Sequence, residues 1–440
     1  MLTTLRNAWR TPELRKKLMF TLLILLLYRI GNAITVPFVN SEALQNFFDA
    51  SLSNTVLGFY NTLSGSAFAQ ATVLALSIQP YINASIIIQL LTVAIPALER
   101  LSKEGGEEGR KKIERITRYT TVGLGLVMGV AYTIMLHNYS LQYGILQEGL
   151  NFLHYVVIVL TFTAGSALVM WMGEQITQFG VGNGISMILF ANIISRLPQV
   201  LMSLPSMLNT PVAAGGMAWW ALLIALAVMA ALVLLIVFVN NAERRIPIQY
   251  AKRVVGRKVY GGQNTNLPIK VNMSGVLPVI FAQSIASLPA TIFAFTNPGG
   301  TSSSGVVQFF INIFNMESWV YIAIYFVLIF GFAYFYASIQ YDPMEISNNL
   351  KKNGGFIPGF RPGKPTGDFI KKVINKITLF GAVYLAIVCL LPMIVGKVVP
   401  GVSTLTIGGT SVIIVVGVAL ETVQSLEAQI MMRHYKGFLE

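Results

Sequence analysis

Of the 31 lysines and arginines, 28 fall into five stretches, at 6–17, 100–118, 244–270, 351–376 and 433–436; only Arg29, Arg196 and Lys397 lie elsewhere. Ten apolar runs fill the gaps, at 18–38, 72–95, 116–136, 150–172, 184–204, 217–239, 273–295, 319–339, 377–395 and 404–426. Crossing a bilayer core takes about 20 residues of helix, so each run is of spanning length. An even number of runs separates each basic stretch from the next, which puts every stretch on one side, the cytoplasmic one. A missed or extra span would scramble that pattern. The runs are continuous rather than alternating, which excludes a transmembrane β-barrel. With 54% hydrophobic and 11% charged residues, against about 25% charged in ordinary domains, a soluble globule is excluded as well.

The expected fold class is an all-α polytopic membrane protein with ten transmembrane helices, N-in and C-in. Five spans per half is an odd number, so a repeat relating the halves must be inverted, about an axis in the membrane plane. The chain divides into an N-terminal half at 1–204, span six at 205–240, a cytoplasmic loop at 241–272, spans seven and eight at 273–339, a second cytoplasmic loop at 340–376, and spans nine and ten with the tail at 377–440. The apolar run after the basic N-terminus has span length and no small-residue cleavage site, so it reads as a retained span. Cys389 is the one cysteine, which excludes an internal disulfide, and its apolar setting reads as a buried thiol.

Residues 61–91 fit no simple span. The first part, 61–71, carries Asn61, Ser64, Gly65, Ser66 and Gln70 and as a helix would cover only roughly 16 Å. The next, 72–95, is uncharged but holds Pro80, Asn83 and Gln89. A half-length segment of small residues feeding a full span reads as a re-entrant piece that enters from the outer side. Bare backbone at that depth needs protein or a water cavity around it. The stretch therefore reads as the lining and stopper of a pathway.

Both long loops are larger than connectors need to be. Residues 240–272 hold ERRIPIQYAKRVVGRKVYGG and NTNLPIK, whose alternation suggests a hairpin turning at Gly261–Gly262. Residues 341–376 form a Gly/Pro-rich arm with basic flanks. Their charge suits anionic lipids or a large cytoplasmic partner rich in phosphate, and their length favours docking.

Enzyme chemistry finds no support. GFRPGKPTG lacks the spacing of a phosphate-binding loop and has Pro365 where Ser or Thr should hold magnesium; GVGNG (180–184) lacks a preceding strand. His137, His154 and His434 have no metal-ligand spacing, and no cofactor or metal is expected. No span offers paired acids, and Glu174 reads as a helix-end charge. Arg29, near the middle of span one, would cost about 2.5–3.5 kcal/mol facing lipid, so it reads as turned inward, in a structural pairing, or snorkelling outward. A secondary transporter for a small solute is the alternative, but it calls for midplane charges that this chain lacks.

Six motifs carry a resemblance: PYINASIIIQLLTV (80–93), GEQITQFGVGNGIS (173–186), YAKR (250–253), LPIKVNMSGVLPVIFA (267–282), NNLKKNGGFIPGFRPG (348–363) and GGTSVIIVV (408–416). In this order, with YRIG at 28–31, they resemble the SecY family, the channel subunits of the general bacterial protein translocase. The resemblance implies a protein-conducting channel of the bacterial cell membrane that passes unfolded polypeptides and releases signal sequences and membrane spans sideways into lipid. It implies a plug at about 57–71, with Asn61, Ser64, Gly65, Ser66 and Phe68, and a pore ring of Ile78, Ile82, Ile185, Leu189, Ile280 and Ile414. It also implies a lateral gate between span two (72–95) and span seven, with Gln89, Asn83, Asn183 and Gln283 as its polar residues. Amide pairs across such a seam are each worth about 0.6–2 kcal/mol. Arg244, Arg245, Lys252, Arg253, Arg257 and Arg361 become docking residues for the SecA motor or the ribosome, and SecE and SecG the expected small membrane subunits. Without a nucleotide motif in this chain, the energy for transport comes from partners.

Overall fold

The computed structural model describes residues 2–51, 56–103, 105–210, 216–250, 253–255, 258–260, 264–273, 275–296, 313, 318–399 and 409–436. A short amphipathic helix α1 (Leu2–Arg10) leads into α2 (Pro12–Gly31), which opens on a proline in its first turn, where a missing N–H costs nothing. Two shorter helices follow, α3 (Ser41–Ser51) and α4 (Val56–Leu63). Helices α5 (Gln79–Ala94), α6 (Pro96–Lys103), α7 (Gly106–Tyr143), α8 (Phe152–Phe179), α9 (Gly184–Asn209) and α10 (Trp219–Asn241) continue the chain. After a loop built of strands come α11 (Leu277–Thr296), α12 (Trp319–Gln340), α13 (Pro343–Lys352), α14 (Lys364–Val398) and α15 (Gly409–Lys436).

Helix therefore occupies all or part of every expected span. Among the described residues seven helices, α7 to α10, α12, α14 and α15, are long and apolar enough to cross a membrane, and an eighth crossing results if α5 and α6, bent by 104°, form one broken span. The other two expected spans are helical but differ: α2 has a charged start, and α11 holds Pro289. Apolar side chains of α10 such as Leu223, Leu226, Leu234 and Phe238 point outward, exposed, as a lipid-facing helix requires.

Four expectations change. Span two is helical only from Gln79; residues 64–78 run in turns, and helix in the re-entrant piece is confined to α4, the first part of the stretch at about 57–71. Arg29 sits in the last turn of α2, which stops at Gly31, rather than mid-span. Ninth-span helix begins at Lys364, so part of the supposed Gly/Pro-rich arm is the start of α14. Nor is the chain all-α. Strand β1 (Glu243–Tyr250) pairs antiparallel with β4 (Asn264–Lys270), between them β2 (Arg253–Val255) pairs with β3 (Lys258–Tyr260), and β5 (Gly355–Phe356) adds to the free edge of β1. The β2–β3 hairpin turns between Val255 and Lys258; Gly261–Gly262, the expected turn, lies outside the described residues. A sheet ordered β4-β1-β5 thus joins the two long loops. Ile246, Ile269, Met273, Ile357, Ile370 and Ile374 form its apolar core.

The halves meet in several places, with α1 packed on α15 among them. Helix α9 packs on α15, and α11 packs on α4, α5 and α7 as well as on its own neighbour α12. A single large apolar cluster runs across both halves, from Ile24 and Tyr28 through Ile188 to Val279, Tyr325 and Ile413. A second cluster lies at the level of α3 and α4, with Leu44, Phe48, Leu57, Tyr60, Tyr132 and Phe162.

Candidate functional site

Between α4 and α5 the backbone runs through the interior without helix or extended sheet. Buried peptide groups need partners, and side chains from other helices provide them. Leu63, which ends α4, has its carbonyl bonded by Asn192 Nδ2 at 2.7 Å; the Ser64 carbonyl accepts from Asn32 Nδ2 at 3.2 Å; the Gly65 carbonyl accepts from Arg29 Nη1 at 3.2 Å. Three consecutive carbonyls at a helix C-terminus, left without intrahelical partners, are thus capped from outside. Arg29 also places its charge where a helix end favours a cation. Further along, Tyr132 donates its hydroxyl to the Phe68 carbonyl, and its ring stacks on Phe68 with centroids 4.4 Å apart.

Inside the segment, Asn61 Oδ1 accepts from Ala69 N at 3.0 Å and Ser64 Oγ from Phe68 N at 3.0 Å. Its far end joins the loop after α2 through Val36 N to Ala71 O at 3.0 Å and Val73 N to Ile34 O at 2.9 Å. Ser66, Ala71 and Ser77 take positive φ of 74°, 45° and 48°, with Gly65 at 66°. Side chains other than glycine resist that region, and such strain persists only where the surroundings hold it. Gly165 on α8 lets the segment approach: a Cβ there would stand 1.8 Å from the Val73 carbonyl oxygen.

Asn192, only 1% exposed, does more than cap Leu63. Its Nδ2 also reaches Tyr28 Oη at 2.9 Å and Ser77 Oγ at 3.4 Å, and Tyr28 and Ser77 share a bond of 3.1 Å. One amide on α9 therefore holds both ends of the irregular segment. One helical turn further, Arg196 donates to Thr62 Oγ1 on α4. Asp49 of α3 faces this arginine; burial raises the carboxyl above its ordinary value, against the pull of the Arg196 charge.

Directly after this segment come the aliphatic residues expected to constrict the pathway. Ile78, Ile82, Leu189 and Ile414 are buried members of the large cluster, and Ile185 and Ile280 pack against it half-buried. They arrive from the start of α5, from α9, from α11 and from α15. All six thus belong to, or pack against, the large apolar cluster that crosses both halves; of the expected plug residues, Asn61, Ser64, Gly65 and Phe68 are buried and Ser66 is half-buried.

Comparison with known proteins decides the family. The SecY family model matches residues 72–423. The protein translocase subunit SecY of Streptomyces scabiei is 43% identical over 445 residues, covering 100% of both chains. The chain belongs to the SecY family. A solved SecY, whose plug domain stabilises the closed state of the translocation channel and maintains a membrane seal, superposes with TM-score 0.62 at 18% identity, covering 94% of this chain and 92% of that one. Sec61 in the canine ribosome–channel complex from the endoplasmic reticulum does so with TM-score 0.60 at 16% identity and the same coverage, 94% and 92%. The fold is that of the protein-conducting channel, and a SecY subunit is a channel of the translocase rather than an enzyme.

The four expected gate amides of this chain sit in separate surroundings. Gln283 Nε2 donates to Tyr321 Oη on α12 at 3.0 Å, and Asn83 Nδ2 faces Met128 Sδ on α7 at 3.9 Å. Asn183 caps α9, accepting from Ile185 N and Ser186 N, while Gln89 Oε1 is buried with no partner. No bond links any two of them among the described residues. A polar contact does cross between the halves elsewhere: Tyr60 Oη on α4 and Ser287 Oγ on α11 share a bond of 3.4 Å.

Of the docking candidates, Arg244 and Arg245 lie exposed on β1, Arg245 paired with Glu243 at 2.6 Å, and Arg361 lies exposed before α14. Arg253 opens β2; Lys252 and Arg257 lie outside the described residues. Glu174, read as a helix-end charge, pairs with Arg118 at 2.7 Å. Sequence reasoning missed Tyr28, Asn32, Ser77, Tyr132 and Asn192 as holders of the plug segment. Only Tyr28, inside the YRIG motif, carried any signal.

Proposed function

We propose that the chain is the protein-conducting channel of a bacterial cell-membrane translocase, crossing ten times with both termini inside. It passes unfolded secretory polypeptides and releases signal sequences and membrane spans sideways between α5 and α11. The observation that carries this reading is the juxtaposition of a polar, side-chain-capped stopper with a large apolar cluster, fed by both halves, that takes in the six aliphatic candidates. A ring without polar groups offers ions no replacement for their hydration and dewets when closed. Lacking specific hydrogen bonds, it yields to a chain of almost any sequence.

The lateral exit is supported by the packing of α5 against α11. An apolar segment gains roughly 0.3–0.6 kcal/mol per Leu, Ile, Phe or Val on entering lipid. The exposed arginines on the sheet and before α14 fit docking by the SecA motor and the ribosome; canine Sec61 in a ribosome complex shares the fold. SecE and SecG complete the membrane complex in this reading, and the basic loops also meet anionic lipids. Vesicles of inner-membrane lipid holding the chain with SecE and SecG, supplied with SecA, ATP and an unfolded secretory precursor, test it. Protease-protected precursor is expected inside; none in vesicles with correctly inserted protein would sink the reading.

A further inference from the structure

We infer that Asn192, acting with Tyr28 and Ser77, is a water-released latch that sets how readily the plug segment leaves, and hence the resting tightness of the channel. The inference rests on the channel reading above and adds how the stopper is held. Besides its apolar packing, the segment's backbone is held by polar contacts: the carbonyls of Leu63, Ser64, Gly65 and Phe68 accept from Asn192, Asn32, Arg29 and Tyr132. Of these donors Asn192 alone reaches both the beginning of the segment, at Leu63, and its end, at Ser77.

Polar contacts in a dry interior behave differently from apolar ones. If the segment moved while the site stayed dry, Asn192, Tyr28 and the freed carbonyls would be left unpaired, each at a cost. If water entered as the segment moved, it would take over those bonds. Release is therefore tied to wetting, and the two reinforce each other. The aliphatic cluster next door resists wetting. Only something that pries the cluster apart, such as an entering polypeptide, lets water reach the latch. Backbone strain at Ser66, Ala71 and Ser77 works in the same direction, since it is relieved once the segment lets go.

Asn192 here is a positioning residue, so its test reads the segment and the seal separately. The chain with SecE and SecG, in vesicles loaded with potassium, is compared as wild type, Asn192→Leu and Tyr28→Phe. Asn192→Leu is expected to raise resting potassium release about tenfold, equivalent to about 1.4 kcal/mol in the closed state. Amide hydrogen exchange should rise in residues 61–78 and stay unchanged in α12. Tyr28→Phe, which removes only one hydroxyl, should shift both in the same direction by less. Wild-type leak and wild-type exchange in both variants, while Ile82→Ser with Ile280→Ser leaks, would overturn the latch and leave the channel reading standing. Failure of the channel reading shows differently, as absence of precursor transport by the wild type. Should Asn192→Leu fail to insert, Tyr28→Phe alone decides by the same two measurements.

Discussion

Ile78 and Ile82 stand one helical turn apart at the beginning of α5, and Ile185 and Leu189 repeat that spacing on α9. Each pair presents two aliphatic side chains from one helix face, and Leu189 supplies the same bulk as an isoleucine. Replacing Ile82 and Ile280 together by serine puts two hydroxyls into the cluster and gives water a foothold. Resting conductance in planar bilayers should rise several-fold, and unchanged single-channel currents would show that the plug alone makes the seal. The aliphatic residues carry a signal in the sequence because motif and chemistry point to the same positions. Asn192 carries none: an asparagine inside the apolar run 184–204 has no periodic signature, and its partners Leu63 and Ser77 become neighbours only through the tertiary fold. Arg29 was half legible. Its membrane setting was read correctly as demanding a partner, but that partner is a backbone carbonyl, which no sequence pattern marks.

Among elements, the segment before α5 shows where hydropathy misleads. Residues 72–78 are apolar and uncharged, so hydropathy alone joins them to α5 as one continuous helix. Yet Pro80 is no interruption: it occupies the first turn of α5, where proline is favoured. The positive φ values fall on Ser66, Ala71 and Ser77, residue types that do not signal them. The strained segment is held in place by its neighbours, Gly165 among them. Gly165→Leu should push the Val73 carbonyl away and loosen residues 71–78; cysteine-labelling at Ser77→Cys, in a background with Cys389→Ala, should become markedly faster than in the parent. Equal labelling rates would show that α8 does not hold the segment in place.

Taken as a whole, the molecule was read best where physics is coarse. Charge alternation and run length marked ten stretches that all hold helix, because burying charge in a bilayer is costly enough to leave a mark on composition. Strand pairing between two loops far apart in sequence left no comparable mark, since β5 has only two residues, Gly355 and Phe356. Arg361 lies in the same assembly, exposed beside the turn that Ser347 ties down through Gly363 O at 2.7 Å. Arg361→Glu should cut SecA-driven export by tenfold or more while thermal stability and insertion stay at wild-type values; undiminished export would remove Arg361 from the docking surface.

The β4-β1-β5 order also has a consequence in time. During synthesis β1 emerges first and finds β4 soon afterwards, but β5 does not exist until α12 and α13 have been made. Until then the free edge of β1, at Gln249 and Tyr250, has no partner strand. Distant pairings of this kind form late, so the three-stranded sheet is complete only after the chain through α13 has been made. A newly made chain thus shows this three-stranded surface only once most of its helices have been synthesised.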